Sequence, residues 1–298
     1  MTSNNLLVTQ PAVMGAGINL KPEHYELALA SQAPGLWFEV HTENYFVNGG
    51  PRLKYLHRLA EQFPLSFHGV GASLGCPFGN SNEHLDKVAE LVRTFSPALV
   101  SEHATWSGYQ HQYFAELLPL PKTGAALQTL CDGVDAYQDA IGRTIAIENP
   151  TNYLSFMAEM DEADFLMEVC QRTGCRLLLD VNNLYISEYN CGIDARNYLR
   201  RIDPALVSEI HIAGYSEDPA LTTELLIDSH AAPVSDQVWE LLQFALKCFG
   251  RVPVLLERDD NIPSFKTLMW ERNKAQLQLD SICDEGEPIW KTASQIIL

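Results

Sequence analysis

The segment RTGCRLLLDVNNLY (residues 172–185) contains the pattern that decides the fold. Gly174 follows a stretch with helical periodicity and suits the left-handed position that often ends a helix. The next run, Leu177–Val181, is apolar without regular alternation, as expected for a parallel strand covered on both faces. It carries an acid, Asp180, near its end. The segment therefore predicts a helix, a turn and a buried strand in succession.

The same unit recurs along the chain. Eight short apolar runs predict buried strands: Val13–Asn19, Leu36–Val40, Leu65–His68, Leu99–His103, Ile145–Asn149, Leu177–Val181, Glu209–Ala213 and Val254–Arg258. Stretches with helical periodicity lie between them: Pro22–Ala33, Arg52–Gln62, Glu83–Phe95, Thr123–Ile141, Glu162–Thr173, Ala195–Ile202, Ser235–Phe249 and Ser264–Ser281. This alternation predicts the α/β class and a single (β/α)8 TIM barrel. A doubly wound open sheet is the rival, but no GxGxxG follows the first strand.

The predicted domain is one barrel over residues 1–284, followed by a C-terminal tail over 285–298. No long linker rich in proline, glycine or serine divides the chain. The longest interruption, Ala104–Pro121, predicts a hairpin after the fourth strand. Four aromatic residues fall within it: Trp106, Tyr109, Tyr113 and Phe114. Such aromatics would either offer a surface to a substrate or partner, or cover the mouth of the barrel.

The composition limits the range of functions. The chain has 298 residues, with 38 Asp and Glu against 20 Lys and Arg, so its formal charge is −18. This acidity argues against binding to nucleic acid or to anionic lipid. There is no apolar run of about 18 residues and no signal-peptide pattern, so no membrane association is expected. Seven scattered cysteines without a CxxC pair predict reduced thiols and a cytoplasmic protein.

Six consecutive predicted strands end in an imidazole or a carboxylate. These residues are His68, His103, Glu148, Asp180, His211 and Glu257. The carboxyl ends of barrel strands form one rim, where active sites are built. Taken singly, each residue is typical of a hydrogen-bonded core histidine or a helix cap. Together, three imidazoles and three carboxylates are costly to bury without a partner, so the pattern predicts bound metal ions.

Three further residues extend this set. Asp228 and His230 are two apart on a segment predicted to be extended, so their side chains point the same way. Asn183 follows Asp180 by three residues and offers a carbonyl oxygen. The resulting nine ligands exceed the needs of one ion and imply two or three, bridged by a carboxylate such as Glu148. Ligation by nitrogen and carboxylate without thiolate leaves iron(II), manganese and zinc open.

At these residues the chain resembles the DUF692 (UPF0276) family of multinuclear non-heme iron-dependent oxidative enzymes. The matching phrases are HTENYF (41–46), FHGVGASLG (67–75), PALVSEHATWSG (97–108), LLPLP (117–121), IAIENPTNYL (145–154), RTGCRLLLDVNNLY (172–185), EIHIAGY (209–215), LLIDSHAAPVSDQVW (225–239) and LLERDDNIP (255–263). The resemblance implies a TIM barrel with two or three irons (Fe2+/Fe3+) held by the nine residues above. It also implies O2 as co-substrate.

The resemblance further implies a substrate and a partner. Family members modify cysteine in ribosomally made precursor peptides, usually with a separate protein that captures the leader peptide. Their products are oxazolone–thioamide groups, thiooxazoles or, in 3-thiaglutamate synthesis, a carboxy-terminal cysteine that has lost its β-carbon. The short chain and the Glu-Arg-Asp-Asp phrase at 257–260 favour the last product.

Two positions depart from the family pattern. Many members have histidine where this chain has Tyr215, and the phrase around Arg258 also differs. Both residues are predicted at the rim of the pocket as catalytic residues that orient the peptide, Arg258 through its planar fork to a carboxylate. Glu43, Asn44 and Tyr45 are expected to support the ligands.

Other functions share this kind of rim. A metal-dependent sugar isomerase and an abasic-site endonuclease also place histidines and carboxylates there, although the charge of −18 disfavours the endonuclease. A non-catalytic metal-storage module is the third alternative. The remaining histidines include His24, His57 and His84, which fall on predicted helices and are expected to face solvent, and His111 in the predicted hairpin.

Overall fold

The computed structural model describes residues 14–109, 112–156 and 158–282, and in them eight parallel strands close into a barrel. The barrel strands are β1 (Ala16–Asn19), β2 (Phe38–His41), β3 (Leu65–Gly69), β4 (Leu99–His103), β7 (Ala146–Glu148), β8 (Arg176–Asp180), β9 (Val207–Ile212) and β12 (Val254–Leu256). Two antiparallel hairpins add β5 (Thr105–Tyr109) with β6 (Gln112–Pro119), and β10 (Ser216–Asp218) with β11 (Thr222–Ile227). Parallel pairing of β1 with β12 closes the barrel. The predicted (β/α)8 TIM barrel is confirmed.

Helices surround the barrel and follow its strands. They are α1 (Tyr25–Leu29), α2 (Pro51–Ala60), α3 (Asn82–Phe95), α4 (Gly124–Ile141), α5 (Glu162–Thr173), α6 (Val181–Cys191), α7 (Ala195–Arg201), α8 (Asp236–Phe249) and α9 (Phe265–Ile282). Short 3₁₀ helices cover Pro22–His24, Thr42–Tyr45 and Pro204–Leu206. The side chains of Ser81, Thr123 and Ser235 cap α3, α4 and α8 by accepting a backbone N–H. None of the described helices has the length and hydropathy of a membrane span.

The strand register brings the predicted site residues together. His103 on β4 lies opposite Glu148 on β7, and Asp180 on β8 lies opposite His211 on β9. Neighbouring strands are about 4.8 Å apart, so residues in register present their side chains to one another at the rim. The carboxyl ends of β4, β7, β8 and β9 therefore bring four of the six strand-end residues together.

The sequence predicted one of the two hairpins and missed the other. The first lies within the predicted span Ala104–Pro121 and follows β4 as expected. The second, β10–β11, was not predicted and is inserted after β9. Helix α6, which follows β8 directly, was also missed. His111, the side chain of Tyr113 and the tail over 285–298 lie outside the described residues.

Candidate metal centre

One group of site residues surrounds a single carboxylate oxygen. Glu148 Oε2 lies 3.2 Å from Nε2 of His68 and 3.4 Å from Nε2 of His103. The Nδ1 atom of His103 is 3.0 Å from the carbonyl oxygen of Gly69. Because a carbonyl only accepts, Nδ1 of His103 carries a proton, and Nε2 is the nitrogen that would bind a metal ion beside Glu148. Both imidazoles thus present Nε2 to one point beside the carboxylate.

Asp180 links this group to the next strand. Its Oδ1 accepts the backbone N–H of Asn183 at 2.6 Å and caps helix α6. Its Oδ2 is buried and has no hydrogen-bond partner within the described residues. Glu148, Asp180 and His211 each offer a ligand atom, and these atoms lie within 4.8 Å of one another. The capping role expected of a lone aspartate therefore uses one oxygen and leaves the other for the site.

Asn183 lies in the first turn of α6 beside Glu148. Its Nδ2 donates to Glu148 Oε1 at 3.2 Å, and its Oδ1 accepts from the hydroxyl of Thr151 at 2.5 Å. In this arrangement Asn183 orients Glu148, and its role as a ligand stays a prediction.

A second group of site residues centres on Glu257. The Oε2 of Glu257 is 3.3 Å from Nδ1 of His211 and 3.6 Å from Nδ1 of His230. Nε2 of His230 is 2.8 Å from Asp228 Oδ1. Asp228 and His230 reach this position because β11 returns the chain to the mouth. His230 has φ +49°, a left-handed conformation that is strained for a residue with a side chain and that recurs at functional sites.

The electrostatics of these groups reflect crowded, buried charges. Burial raises the pKa of Glu148 to about 7, against the lowering effect of His103 and His211. Burial and the charges of Glu148 and Asp228 raise the pKa of Asp180 well above its usual value. Burial alone would lower the pKa of His103, but the Glu148 and Glu102 carboxylates outweigh it and raise that pKa to about 10. Without a bound cation, these carboxylates can relieve their repulsion only by taking up protons or pairing with imidazoles.

The donor set fits metal ions on a structural ground. Four buried atoms make no hydrogen bond among the described residues: Glu148 Oε2, Asp180 Oδ2, His211 Nδ1 and His230 Nε2. All of them except Asp180 Oδ2 face an oppositely charged group, but only as ion pairs at 2.8–3.4 Å. In the same part of the chain, the ion pairs of Glu148, Glu257 and Asp228 are all with histidines. Leaving a buried polar atom unpaired costs about 1–3 kcal/mol, and more if it is charged. A transition-metal ion would satisfy carboxylate oxygens and imidazole nitrogens together.

Two buried carboxylates beneath the site were missed in the sequence. Glu39 and Glu209 are fully buried inside the barrel. Nε2 of His211 is 3.3 Å from Glu209 Oε1 and 3.5 Å from Glu39 Oε2. A carboxylate on one ring nitrogen fixes the tautomer and directs the other nitrogen to a metal. The period of two along β9 would have revealed Glu209, because it precedes His211 by two residues and shares its face.

Replacing Glu209 with glutamine tests this arrangement. The substitution keeps the shape but removes the charge that holds His211, so we expect metal affinity to fall by about 10–100-fold. Competition with a chromophoric chelator measures that affinity. The matched control is Glu217→Gln, at an exposed position on β10. Equal affinities of the wild type and both variants would contradict a positioning role.

Asp259 was also missed, and it acts on His230. Its Oδ2 is 2.7 Å from Nδ1 of His230, and its Oδ1 accepts from Lys21 at 2.6 Å. Burial opposes ionisation, but the hydrogen bond and charge of His230 hold the pKa of Asp259 well below its usual range. The carboxylate therefore stays charged and directs Nε2 of His230 toward Asp228.

The two residues predicted to orient the substrate lie in different settings. Tyr215 is half-buried after β9, with its ring centroid 5.3 Å from that of Tyr185. Arg258 is only 3% exposed, and its guanidinium donates to Glu271 Oε2 at 2.8 Å. A substrate carboxylate would have to displace Glu271 to reach Arg258. Both roles stay predictions.

Of the three histidines predicted to face solvent, one is exposed and two are at least partly buried. His57 is exposed. His24 is instead buried, with Nε2 3.0 Å from the carbonyl oxygen of Pro263, and His84 is half-buried near Glu43. Helical position alone did not reveal these contacts, because their partners, Pro263 and Glu43, belong to segments distant in sequence.

A cavity of about 350 Å³ opens beside the cluster. Three of the predicted ligands, His103, Asn183 and Asp228, line it together with Thr151 and Tyr153. The first hairpin supplies part of its wall through Ser107, Glu116 and Leu117. The site is therefore accessible to a substrate from the mouth of the barrel.

Comparison with known proteins bears on the identity of the chain. The profile of the RiPP precursor modification enzymes MbnB/TglH/ChrH matches residues 15–280. The chain belongs to this family. Members of the MbnB/TglH/ChrH family are enzymes that modify a precursor, and the resemblance noted from the motifs is confirmed. The barrel with its clusters of histidine and carboxylate is thus the scaffold of such an enzyme.

Similar curated proteins carry the same family label. The "UPF0276 protein" of Caulobacter sp. strain K31 is 46% identical over 261 residues, which cover 87% of this chain and 94% of that protein. A UPF0276 protein of Bordetella bronchiseptica is 45% identical over 262 residues, covering 87% of this chain and 90% of that protein. These relatives extend the match over most of both chains.

Solved structures share the fold at low sequence identity. D-psicose 3-epimerase from Clostridium cellulolyticum H10 aligns with a TM-score of 0.57 and 11% identity, covering 90% of this chain and 98% of that one. A xylose isomerase-like TIM barrel protein from Mycobacterium smegmatis, in complex with magnesium, aligns with a TM-score of 0.56 and 13% identity, covering 92% and 99%. At these identities the likeness establishes the barrel and nothing about the reaction.

Proposed function

We propose that the protein is an iron-dependent, O2-using oxidoreductase that modifies a cysteine in a ribosomally made precursor peptide. Family membership supplies the class of substrate. The observation that carries the proposal is the set of four buried ligand atoms without hydrogen-bond partners in the described chain, next to an open cavity. The favoured product is a carboxy-terminal cysteine that has lost its β-carbon. Conversion of cysteine to an oxazolone–thioamide or a thiooxazole at the same site is the alternative.

The predicted ligands divide into groups that would each hold a metal ion, and other residues would orient them. His68, His103 and Glu148 would hold one ion. His211 with Glu257, and His230 with Asp228, would serve the others, and Asp180 lies within reach of both Glu148 and His211. Bound iron would supply thiolate binding and the electron transfer that O2 chemistry requires. The protein's own contribution is orientation: Asn183 holds Glu148, and Asp259 holds His230.

The surface beside the mouth suits a peptide. A groove of about 300 Å³ is lined in part by Leu154, Phe156 and Met160. Leu154 and Phe156 are exposed, although large apolar side chains are costly to leave in water. Asn152 lines this groove while its neighbours Thr151 and Tyr153 line the site cavity. A peptide lying in the groove would therefore reach the cavity directly.

The remaining roles complete the proposal. Tyr215 would orient the peptide near the mouth, and Arg258 would do so if the peptide carboxylate displaced Glu271. The exposed Tyr109 and Phe114 of the first hairpin offer a surface to a separate protein that delivers the precursor by its leader. We place the reaction in the cytoplasm, where the scattered cysteines stay reduced.

An aerobic assay tests the function. The protein, loaded anaerobically with iron(II), is mixed with a cysteine-containing precursor peptide encoded beside its gene. We expect O2 consumption coupled to a peptide mass change at the cysteine, with loss of one carbon if the β-carbon is excised. The same peptide with serine in place of cysteine is the control. Consumption of O2 without any peptide change, over several such peptides, would contradict the proposal.

A further inference from the structure

A second cluster of metal-ligating side chains lies on the helix side of β4, outside the group described above. It comprises Glu43 of the 3₁₀ helix after β2, His84 of α3 and Glu102 of β4. One ligand atom from each lies within 4.8 Å of the others. Three separate elements therefore converge on one point that the proposed reaction does not use.

The loop after β3 closes over the two carboxylates. Glu43 Oε1 accepts the backbone N–H groups of Val70 and Gly71 at 3.1 and 2.8 Å. Glu102 Oε2 accepts the N–H of Ala72 at 3.1 Å. A side chain at Gly71 would bring its Cβ to 3.1 Å from both Glu43 Oε1 and His84 Cε1, which is tighter than ordinary contact. Glycine at this position lets the backbone approach the cluster closely.

Two atoms of this cluster, Glu43 Oε2 and His84 Nε2, are buried and make no hydrogen bond in the described chain, although His84 Nε2 lies 3.4 Å from Glu43 Oε1 as an ion pair. The hydroxyl oxygen of Tyr137 is a third buried atom that makes none. Tyr137 belongs to α4 and is fully buried. Burial, and then the charges of Glu102 and Glu43, raise the pKa of its phenol well above the usual value. An aromatic hydroxyl buried in this way ordinarily finds a partner.

Within the described residues, only histidines form ion pairs with the carboxylates of the cluster: His84 with Glu43 at 3.4 Å and His103 with Glu102 at 3.7 Å. Burial and the neighbouring Glu102 raise the pKa of Glu43 to about 7. Among the described residues, no lysine or arginine pairs with Glu43 or Glu102. The nearby Lys87 forms an ion pair with Glu83, with 2.7 Å between Nζ and Oε1. A cation would both neutralise the carboxylates and satisfy the imidazole.

We propose that Glu43, His84 and Glu102 form a separate site for one divalent metal ion. Two carboxylates and one imidazole suit manganese, iron(II) or zinc. The ion would fix the loop over residues 69–72. That loop also supplies the Gly69 carbonyl that accepts from His103, so the site would stabilise the mouth without taking part in the reaction. The proposal does not depend on the peptide-modifying function.

Titration with Mn2+ tests this site. The full chain is stripped with a chelator, and bound Mn2+ is measured from the loss of the electron paramagnetic resonance signal of the free ion. We expect His84→Gln and Glu43→Gln each to bind one equivalent fewer than the wild type. The matched control is His57→Gln, at an exposed histidine on α2, which should bind as the wild type does.

Glu148→Ala separates this site from the mouth cluster. It should lose Mn2+ at the mouth and keep the equivalent that His84→Gln loses. Circular dichroism and the melting temperature establish that each variant is folded, and the half-buried position of His84 favours this. Binding by folded His84→Gln and Glu43→Gln equal to that of the wild type would overturn the proposal, as would loss of all Mn2+ from folded Glu148→Ala.

Discussion

The Glu148→Ala variant is expected to lose metal from the mouth of the barrel and to lose turnover by at least about 100-fold, beyond the range typical of residues that only support a ligand. Glu148 Oε2 lies within 3.4 Å of Nε2 of both His68 and His103, and its carboxylate also adjoins Asp180 and His211. Removing it takes a donor from both groups at once. Metal analysis after anaerobic loading, with the aerobic peptide assay, measures both effects.

The barrel itself should survive this change. The Glu148 side chain accepts a hydrogen bond from Asn183, while the backbone of β7 keeps its pairing with β4 and β8. The circular dichroism spectrum should therefore match that of the wild type. Glu217→Ala, at an exposed position, controls for loss of any one carboxylate. Full activity in Glu148→Ala would show that the carboxylate holds no essential ion.

The His211→Ala variant is expected to abolish turnover and also to destabilise the protein. His211 is fully buried, within 3.5 Å of Glu39, Glu209 and Glu257. Removing one partner from a buried ion pair costs about 3–5 kcal/mol, because the remaining charges are left uncompensated. Since domains are stable by about 5–15 kcal/mol, the barrel should remain folded with reduced stability. Urea unfolding of the metal-free proteins measures the change.

A second substitution tests whether uncompensated charge causes that loss of stability. In His211→Ala, Glu209→Gln, one of the abandoned carboxylates is neutralised, so part of the stability should return. Metal binding and turnover should stay absent, because the imidazole is still missing. A double variant no more stable than His211→Ala would contradict the view that uncompensated charge causes the loss.

Sequence alone located the barrel strands because parallel strands leave a strong local signal. Leu177–Val181 is apolar except for Asp180, and Leu99–His103 begins with two apolar residues after a helical stretch. Each coincides with an observed strand to within a residue. The strand-end residues follow from the same signal, since the direction of the strands decides which end carries the site.

The missed elements lack that signal. The hairpin β10–β11 includes a strand of only three residues, Ser216–Asp218, with a register shift, and such a strand has no readable period. Helix α6 begins at Val181, directly after β8, and contains several asparagines that favour turns over helix interiors. The sequence of α6 therefore shows little of the apolar periodicity that predicts a helix.

The supporting residues were harder to identify than the predicted ligands. Glu39 lies within a predicted strand, but only the closed barrel brings it to His211, whose Nε2 is 3.5 Å away. Asp259 was quoted within a motif, yet its contact with His230 depends on the chain returning from β11. Such contacts join segments far apart in sequence, and no local period encodes them.

Anomalous X-ray scattering at the iron edge, from crystals of protein loaded anaerobically with iron(II), tests the central claim most directly. The account predicts two or three peaks at the mouth of the barrel, with Glu148 between His68 and His103 on one side and Asp180 and His211 on the other. A mouth without any peak, in which these side chains pair only with one another or with backbone amides, would contradict it.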